Sequence, residues 1–167
     1  MSDGVEWVIH CCTVLAVLPP DDTLPAARLA EYHEVAPAYL AKHLAATTSA
    51  GITTSTPGPR GGYRLARPPA EITVLEVVEA VEGRGPAFRC SEIRQRGPGF
   101  VEGAESYRRT CGIARTMWRA EAAWRSELAA TTIADLVAEI IETVSPEQVA
   151  RSADWFQSVQ IRRRRDP

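Results

Sequence analysis

No apolar run in this chain reaches the ~20 residues that a membrane-spanning helix needs. The longest, residues 5–18 (VEWVIHCCTVLAVL), is interrupted by Glu6, His10 and Thr13 and stops at Pro19-Pro20. The N-terminus has no basic segment followed by a cleavable apolar run, so a cytoplasmic protein is expected, with no membrane partner. Internal repeats are absent, and so are a Walker loop, a dinucleotide fingerprint and a catalytic triad. A thiol nucleophile at Cys90 or Cys111 would need a base, and His10 is its one candidate, so neither an enzyme nor a small-molecule substrate is expected. Cysteine is sparse: four among 167 residues, at positions 11, 12, 90 and 111. In a reducing compartment these read as free thiols or metal ligands and not as a disulfide framework.

Net charge is also small. Nineteen Lys plus Arg against twenty-one Asp plus Glu give −2, so bulk charge does not advertise a polyanion partner. The local balance differs: residues 35–70 contain no Asp or Glu, whereas Lys42, Arg60, Arg64 and Arg67 are all cationic. A phosphate backbone finds no like charge in this block.

What is present is a composition of 45% hydrophobic and 24% charged residues, enough for one globular domain with a sizeable core. Residues 5–18 read as a mostly buried first helix in which Cys11 and Cys12 act as small core residues. Residues 24–34 read as a short second helix with Pro25 at its first position and His33 solvated or capping at its end. Residues 37–48 (PAYLAKHLAATT) form a third, with Leu40 and Leu44 facing the core and Gly51 closing it. Its outward residues are then Ala38, Tyr39, Lys42 and His43, a mixture without acid that suits a DNA groove.

Residues 52–55 and 63–66 flank TPGPRGG and read as a hairpin, and helix, helix, hairpin makes a winged helix-turn-helix. Lys42 and Arg28 are assigned to phosphates and Tyr39 and His43 to base edges, with Arg60 at the wing tip entering a minor groove. Gly61 and Gly62 supply the tight turn, and with Tyr63 and Ala38 they are counted in the DNA-binding surface. Residues 71–81 close this unit as a fourth helix. Residues 88–109 read as an irregular loop bracketed by Cys90 and Cys111.

From 112 to 128, Ile113, Met117, Ala120, Trp124 and Leu128 form a stripe too apolar for an isolated surface helix, and dimerisation is its natural use. Met117, Trp118 and Trp124 read as packing residues and not as a stacking platform. A capping pattern at 132–135 starts a further helix, Ser145-Pro146-Glu147 starts a last, weaker one, and the tail IRRRRDP reads as a solvated, disordered end. The expected fold is mainly α with a small β wing: a winged helix-turn-helix at 1–83, a loop at 84–111, dimerisation helices at 112–144, and a C-terminal helix with a basic tail at 145–167.

The segments AYLAKHLAATTSAGI, PRGGYRLARPPAEITVLEVVEAVEG and CGIARTMWRAEAAWRSELAATTIADL together resemble the Rrf2 family of winged helix-turn-helix transcription regulators. The resemblance implies a homodimer on a palindromic operator in double-stranded DNA, with recognition helices in successive major grooves and wings in the flanking minor grooves. It also raises an iron–sulfur cluster, which many members hold through three closely spaced cysteines before the dimerisation helix. This chain departs from that pattern, since only Cys90 and Cys111 lie there, far apart in sequence.

Glu6 and His10, spaced i, i+4, project from one face of the first helix and could meet a metal together. The segment GVEWVIHCC resembles RsrR-type members, in which two Cys, one His and one Glu from both subunits hold a [2Fe–2S] cluster. That resemblance implies Glu6, His10, Cys90 and Cys111 as ligands. Trp7, by its adjacency to Glu6 alone, is a bulky group that could respond to the redox state. Imidazole in place of thiolate lowers the cluster's negative charge and favours its reduced form. The residues alone leave other readings open: a buried or reversibly oxidised thiol pair, a zinc site with the same donors, or a metal-free regulator switched by a partner protein.

Overall fold

The computed structural model describes residues 1–19, 21–58 and 61–165, with side chains as far as Val159. The first helix, α1 (Asp3–Ala16), starts two residues earlier than the apolar run because Asp3 and Glu6 favour the positive end of the helix dipole. Val5, Val8, Cys11, Cys12 and Leu15 lie along its buried face. Helix α2 (Ala26–His33) begins just after Pro25 and ends at Glu34, whose φ of 54° turns the chain into α3 (Pro37–Ser49). Pro37 opens α3, where a missing N–H costs nothing, and Gly51 at φ 72° closes it.

Strands β1 (Thr53–Thr56) and β2 (Gly62–Leu65) pair antiparallel, with Thr53 opposite Leu65 and Thr56 opposite Gly62. A buried hydroxyl cluster ties this wing to α3: Thr53 Oγ1 lies 2.9 Å from Thr47 Oγ1 and 2.9 Å from Thr48 Oγ1. The next helix, α4 (Val74–Glu82), starts later than residue 71. Pro69–Glu71 form a 3-10 turn, and the Thr73–Glu76 capping box then opens the helix. Residues 88–109 are irregular apart from short 3-10 turns at Ile93–Gln95 and Glu105–Arg108.

Helix α5 (Gly112–Ala130) is followed by α6 (Ile133–Thr143), opened by a Thr132–Asp135 capping box, and by α7 (Pro146–Arg165). The division at residue 112 is less clean than the sequence implies. Val74 N–H donates to Thr131 O and Ile133 N–H to Ile72 O, both at 2.9 Å, and the fully buried Ile133 joins Leu29, Leu40, Leu44, Ile72 and Val77 in the core of the winged unit. Among the described residues no helix is long and apolar enough to cross a membrane.

Met117 and Trp118 are 42% and 45% exposed within one chain, whereas Trp124 and Leu128 pack against Val5, Val74 and Val78. One expectation is corrected. The segment from Pro146 is not a weak helix: it runs as α7 to Arg165, and Val159, 2% exposed, joins the main core, where Phe156 stacks on Tyr32 of α2 and Trp155 lies tilted against it.

Candidate functional site

Helices α2 and α3 make the helix-turn-helix, and Leu40, Leu44 and Thr47 anchor α3 in the core. The opposite face exposes Pro37, Ala38, Lys42, Ala45 and Ser49, without an acid among them. Ala38 and Lys42 lie on it as expected. Arg28, half-buried on α2, is paired with Glu31 one turn on. Tyr39 is 43% exposed but leans away from the groove face, meeting Trp7 edge-on at 5.4 Å and His43 edge-on at 4.5 Å between ring centres.

His43 is a correction. It is buried, 8% exposed, and cannot reach a base edge. One turn after Tyr39, its ring turns inward against the first turn of α1, into the space left by Gly4.

The wing requires its glycines for close approach. A Cβ on Gly61 would stand 2.0 Å from the Thr56 carbonyl oxygen, and one on Gly62 would stand 2.4 Å from the Leu24 carbonyl carbon; both residues are buried. Tyr63 also faces inward. Its N–H donates to Leu24 O at 2.7 Å, the Leu24 N–H donates back at 3.0 Å, and its ring packs on the core. Arg60 lies outside the described residues. Arg67 is consumed within the fold by Glu76 and the Glu71 carbonyl. The exposed Lys42 on α3 and Arg64 on β2 therefore remain as described cations of the basic block that form no ion pair with a described residue.

Glu6 and His10 emerge, exposed, from the otherwise buried α1. They sit on the lip of a groove of about 400 Å³ that Val74 and Val78 of α4 and Leu128 of α5 also line. Trp7, between them in sequence, is half-buried against Tyr39. His10 faces His33 at 5.5 Å between rings. His33 is half-buried, and its Nε2 is buried without a partner. Burial, then the neighbouring His10, holds its imidazole below the ordinary value against the opposing hydrogen bond to the His10 backbone.

Cys90 is exposed and Cys111, partly exposed, caps α5. The N–H groups of Ala114 and Ile113, with Arg94 assisting, pull the Cys111 thiol below its ordinary value; partial burial and Glu92 oppose them. Sequence reasoning missed Arg94. It pairs with Glu92, donates to the carbonyls of Ser106 at 3.2 Å and Arg109 at 3.0 Å, and feels the charge of both thiols. Nothing in the sequence distinguishes it from the other arginines of the loop. By contrast, burial pushes Cys11 and Cys12 up to about 12.

Two thiols, an imidazole and a carboxylate fit an iron–sulfur centre, and the stabilised thiolate at Cys111 is the form that ligates metal. Yet among the described residues no three His, Cys, Asp or Glu side chains of one chain converge on a metal position.

A family profile described as Rrf2, "Iron-dependent Transcriptional regulator", matches residues 1–139. YwgB of Bacillus subtilis (strain 168), named as a candidate HTH-type transcriptional regulator, is 26% identical over 155 residues, covering 93% of each chain. Among solved structures, the global cysteine regulator CymR of B. subtilis superposes with a TM-score of 0.63 at 21% identity, covering 83% of this chain and 96% of that one. T. potens IscR gives 0.63 at 18% identity, over 87% and 91% respectively. These likenesses bear on the fold, and the profile, spanning most of the sequence, decides the family: the chain belongs to the Rrf2 family of transcriptional regulators.

Proposed function

We propose that this chain is a redox-responsive transcription regulator that binds a palindromic operator as a homodimer. Glu6 and His10 of one subunit and Cys90 and Cys111 of the other would hold a [2Fe–2S] cluster. The observation that carries the reading is the pair Glu6 and His10, one helical turn apart and exposed on a buried helix, at the lip of a groove open to a partner. Neither side chain has a hydrogen bond or ion pair with another described residue, so both are free to meet a ligand. The iron dependence in the family's description agrees with it. The uncovered apolar residues Ile113, Met117 and Trp118 of α5 supply a surface for the second subunit.

When bound, the cluster supplies a one-electron couple whose potential its imidazole and carboxylate ligands adjust. The chain's own residues would do the rest. Lys42 and Arg64 meet phosphates and Arg28 supports them, and the small Ala38 permits close approach to the groove floor. Trp7 would answer the redox state, and a Trp7→Phe variant with unaltered redox dependence of DNA binding removes that role.

Iron and sulfide analysis with an anaerobic visible spectrum tests the cluster. About two iron and two sulfide per subunit are expected, lost in Cys90→Ala and in Glu6→Ala. Retained iron and an unchanged spectrum in Cys90→Ala would sink the ligand set.

The thiolate-stabilising environment of Cys111 favours a second reading, a metal-free switch in which Cys90 and Cys111 form a reversible disulfide. A colourless protein that cannot be reconstituted, and whose operator binding follows thiol oxidation, would select it.

A further inference from the structure

Gly4 stands in the first turn of α1 with ordinary helical φ, so backbone conformation does not explain a residue that weakens helices. Its surroundings do. A Cβ there would lie 2.5 Å from His43 Nε2, 2.7 Å from Cε1 and 2.8 Å from Cδ2. The imidazole of the recognition helix is seated on the bare backbone of α1.

The seat has one further wall: the ring of Tyr39, at 4.5 Å and 85° to the imidazole, closes it on the α3 side. The first turn of α1 is itself tied down at the end of α4, where the Glu82 carboxylate accepts 2.7 Å hydrogen bonds from Ser2 N–H and Ser2 Oγ. His43 Nε2 is buried there without a partner, a polar group that an ordinary core position would exclude.

We infer that Gly4 and His43 form a socket that fixes the position of α3 relative to α1, making both residues positioning residues for operator recognition although neither touches DNA. The inference rests on the reading of α3 as the recognition helix. Leu40, Leu44 and Thr47 hold α3 to the core along its length. His43 projects between Leu40 and Leu44 toward α1, and a contact without spare volume converts the placement of the α1 turn into the placement of Ala38 and Lys42.

The test uses the full chain and the DNA fragment that the wild-type protein selects from a random-sequence pool. Gly4→Ala is expected to weaken binding to that fragment about 10-fold while leaving unchanged its binding to unrelated DNA and its dimeric state. Adding His43→Ala vacates the socket, and the double variant should bind within about 3-fold of His43→Ala alone. This recovery is what a generally damaged fold would not show. Gly4→Ala binding like wild type, a loss that persists undiminished in the double variant, or an equal loss on unrelated DNA overturns the inference. Should Gly4→Ala alone fail to fold, its folding in the His43→Ala background supports the socket, and failure in both backgrounds overturns it. A wild-type protein that selects no sequence overturns the DNA-recognition reading itself, an outcome distinct from selection by the wild type with no effect of the variants.

Discussion

Trp155 of α7 lies 4.9 Å from Tyr32 of α2, ring centre to ring centre, and three residues earlier Ser152 shares a 2.8 Å hydrogen bond with the Tyr32 hydroxyl. The helix-turn-helix therefore leans on a C-terminal helix beyond the span that the family profile matches, residues 1–139. Trp155→Ala is expected to lower unfolding stability by about 2 kcal/mol, below the range for a fully buried aromatic because the residue is half-exposed. Tyr32→Phe, which removes only the hydroxyl, should cost about 1 kcal/mol. Urea denaturation followed by circular dichroism measures both, and an unmoved midpoint for Trp155→Ala would mean that α7 does not dock in solution.

Ile133 is fully buried in the winged unit although it opens a helix assigned to dimerisation. Ile133→Ala should cost about 3 kcal/mol by leaving a cavity. Thr132→Ala, which removes the capping box, should cost about 1 kcal/mol. Comparable losses for the two variants would contradict the placement of Ile133 in the core.

Acid should loosen the joint between the wing and α4. Burial alone would raise the Glu76 carboxyl, but hydrogen bonds from Thr73 and Arg67 outweigh it and hold the group below its ordinary value of 4.5. A carboxyl depressed on folding contributes stability that is fully present above that ordinary value and is lost as pH falls through the lower, folded one. Stability of the wild type measured from pH 6 downward, in roughly half-unit steps, should decline more steeply than that of Glu76→Gln. Parallel curves would remove Glu76 from the account.

Thiol titration should divide the four cysteines into two pairs. Cys11 and Cys12 are fully buried and pushed up to about 12, whereas Cys90 is exposed and Cys111 is pulled below its ordinary value. The thiolate is the reacting form, so metal-free native protein should expose two fast thiols to a disulfide reagent, and denatured protein four. Fast loss of a thiol in a Cys90→Ser/Cys111→Ser variant would show that α1 opens readily.

Lys42 and Arg67 belong to the same acid-free block but have different employment. Lys42→Ala should weaken DNA binding evenly across sequences and reduce the salt dependence by about one counterion. Arg67→Ala breaks the ties to Glu76 and Glu71 and should act on stability. Equal effects of the two on the salt slope would mean that Arg67 also meets phosphate.

The helix-turn-helix was legible because its signals are local. Pro37 and Gly51 bracket α3, the Leu40–Leu44 spacing marks its buried side, and TPGPRGG marks the hairpin. His43 was misread for an equally local reason: spacing places it beside Tyr39 on one helical face, but only the absent side chain of Gly4, thirty-nine positions earlier, makes room for it inside. The glycines of the wing were recognised as turn residues, while their close approaches to Thr56 and Leu24 were not, because pattern does not report contacts across the chain.

By itself the sequence determined the order of helices and wing, the acid-free block and the burial of Cys11 and Cys12, all of which follow from periodicity, caps and composition within a few turns of chain. Only the tertiary structure decided that α7 folds back on Tyr32, that Arg67 is spent within the fold and that His43 turns inward. It also decided that, among the described residues, no three His, Cys, Asp or Glu side chains of one chain converge. Each of these depends on which distant surfaces exclude water together, and burial between residues far apart in sequence leaves no periodic trace in either segment.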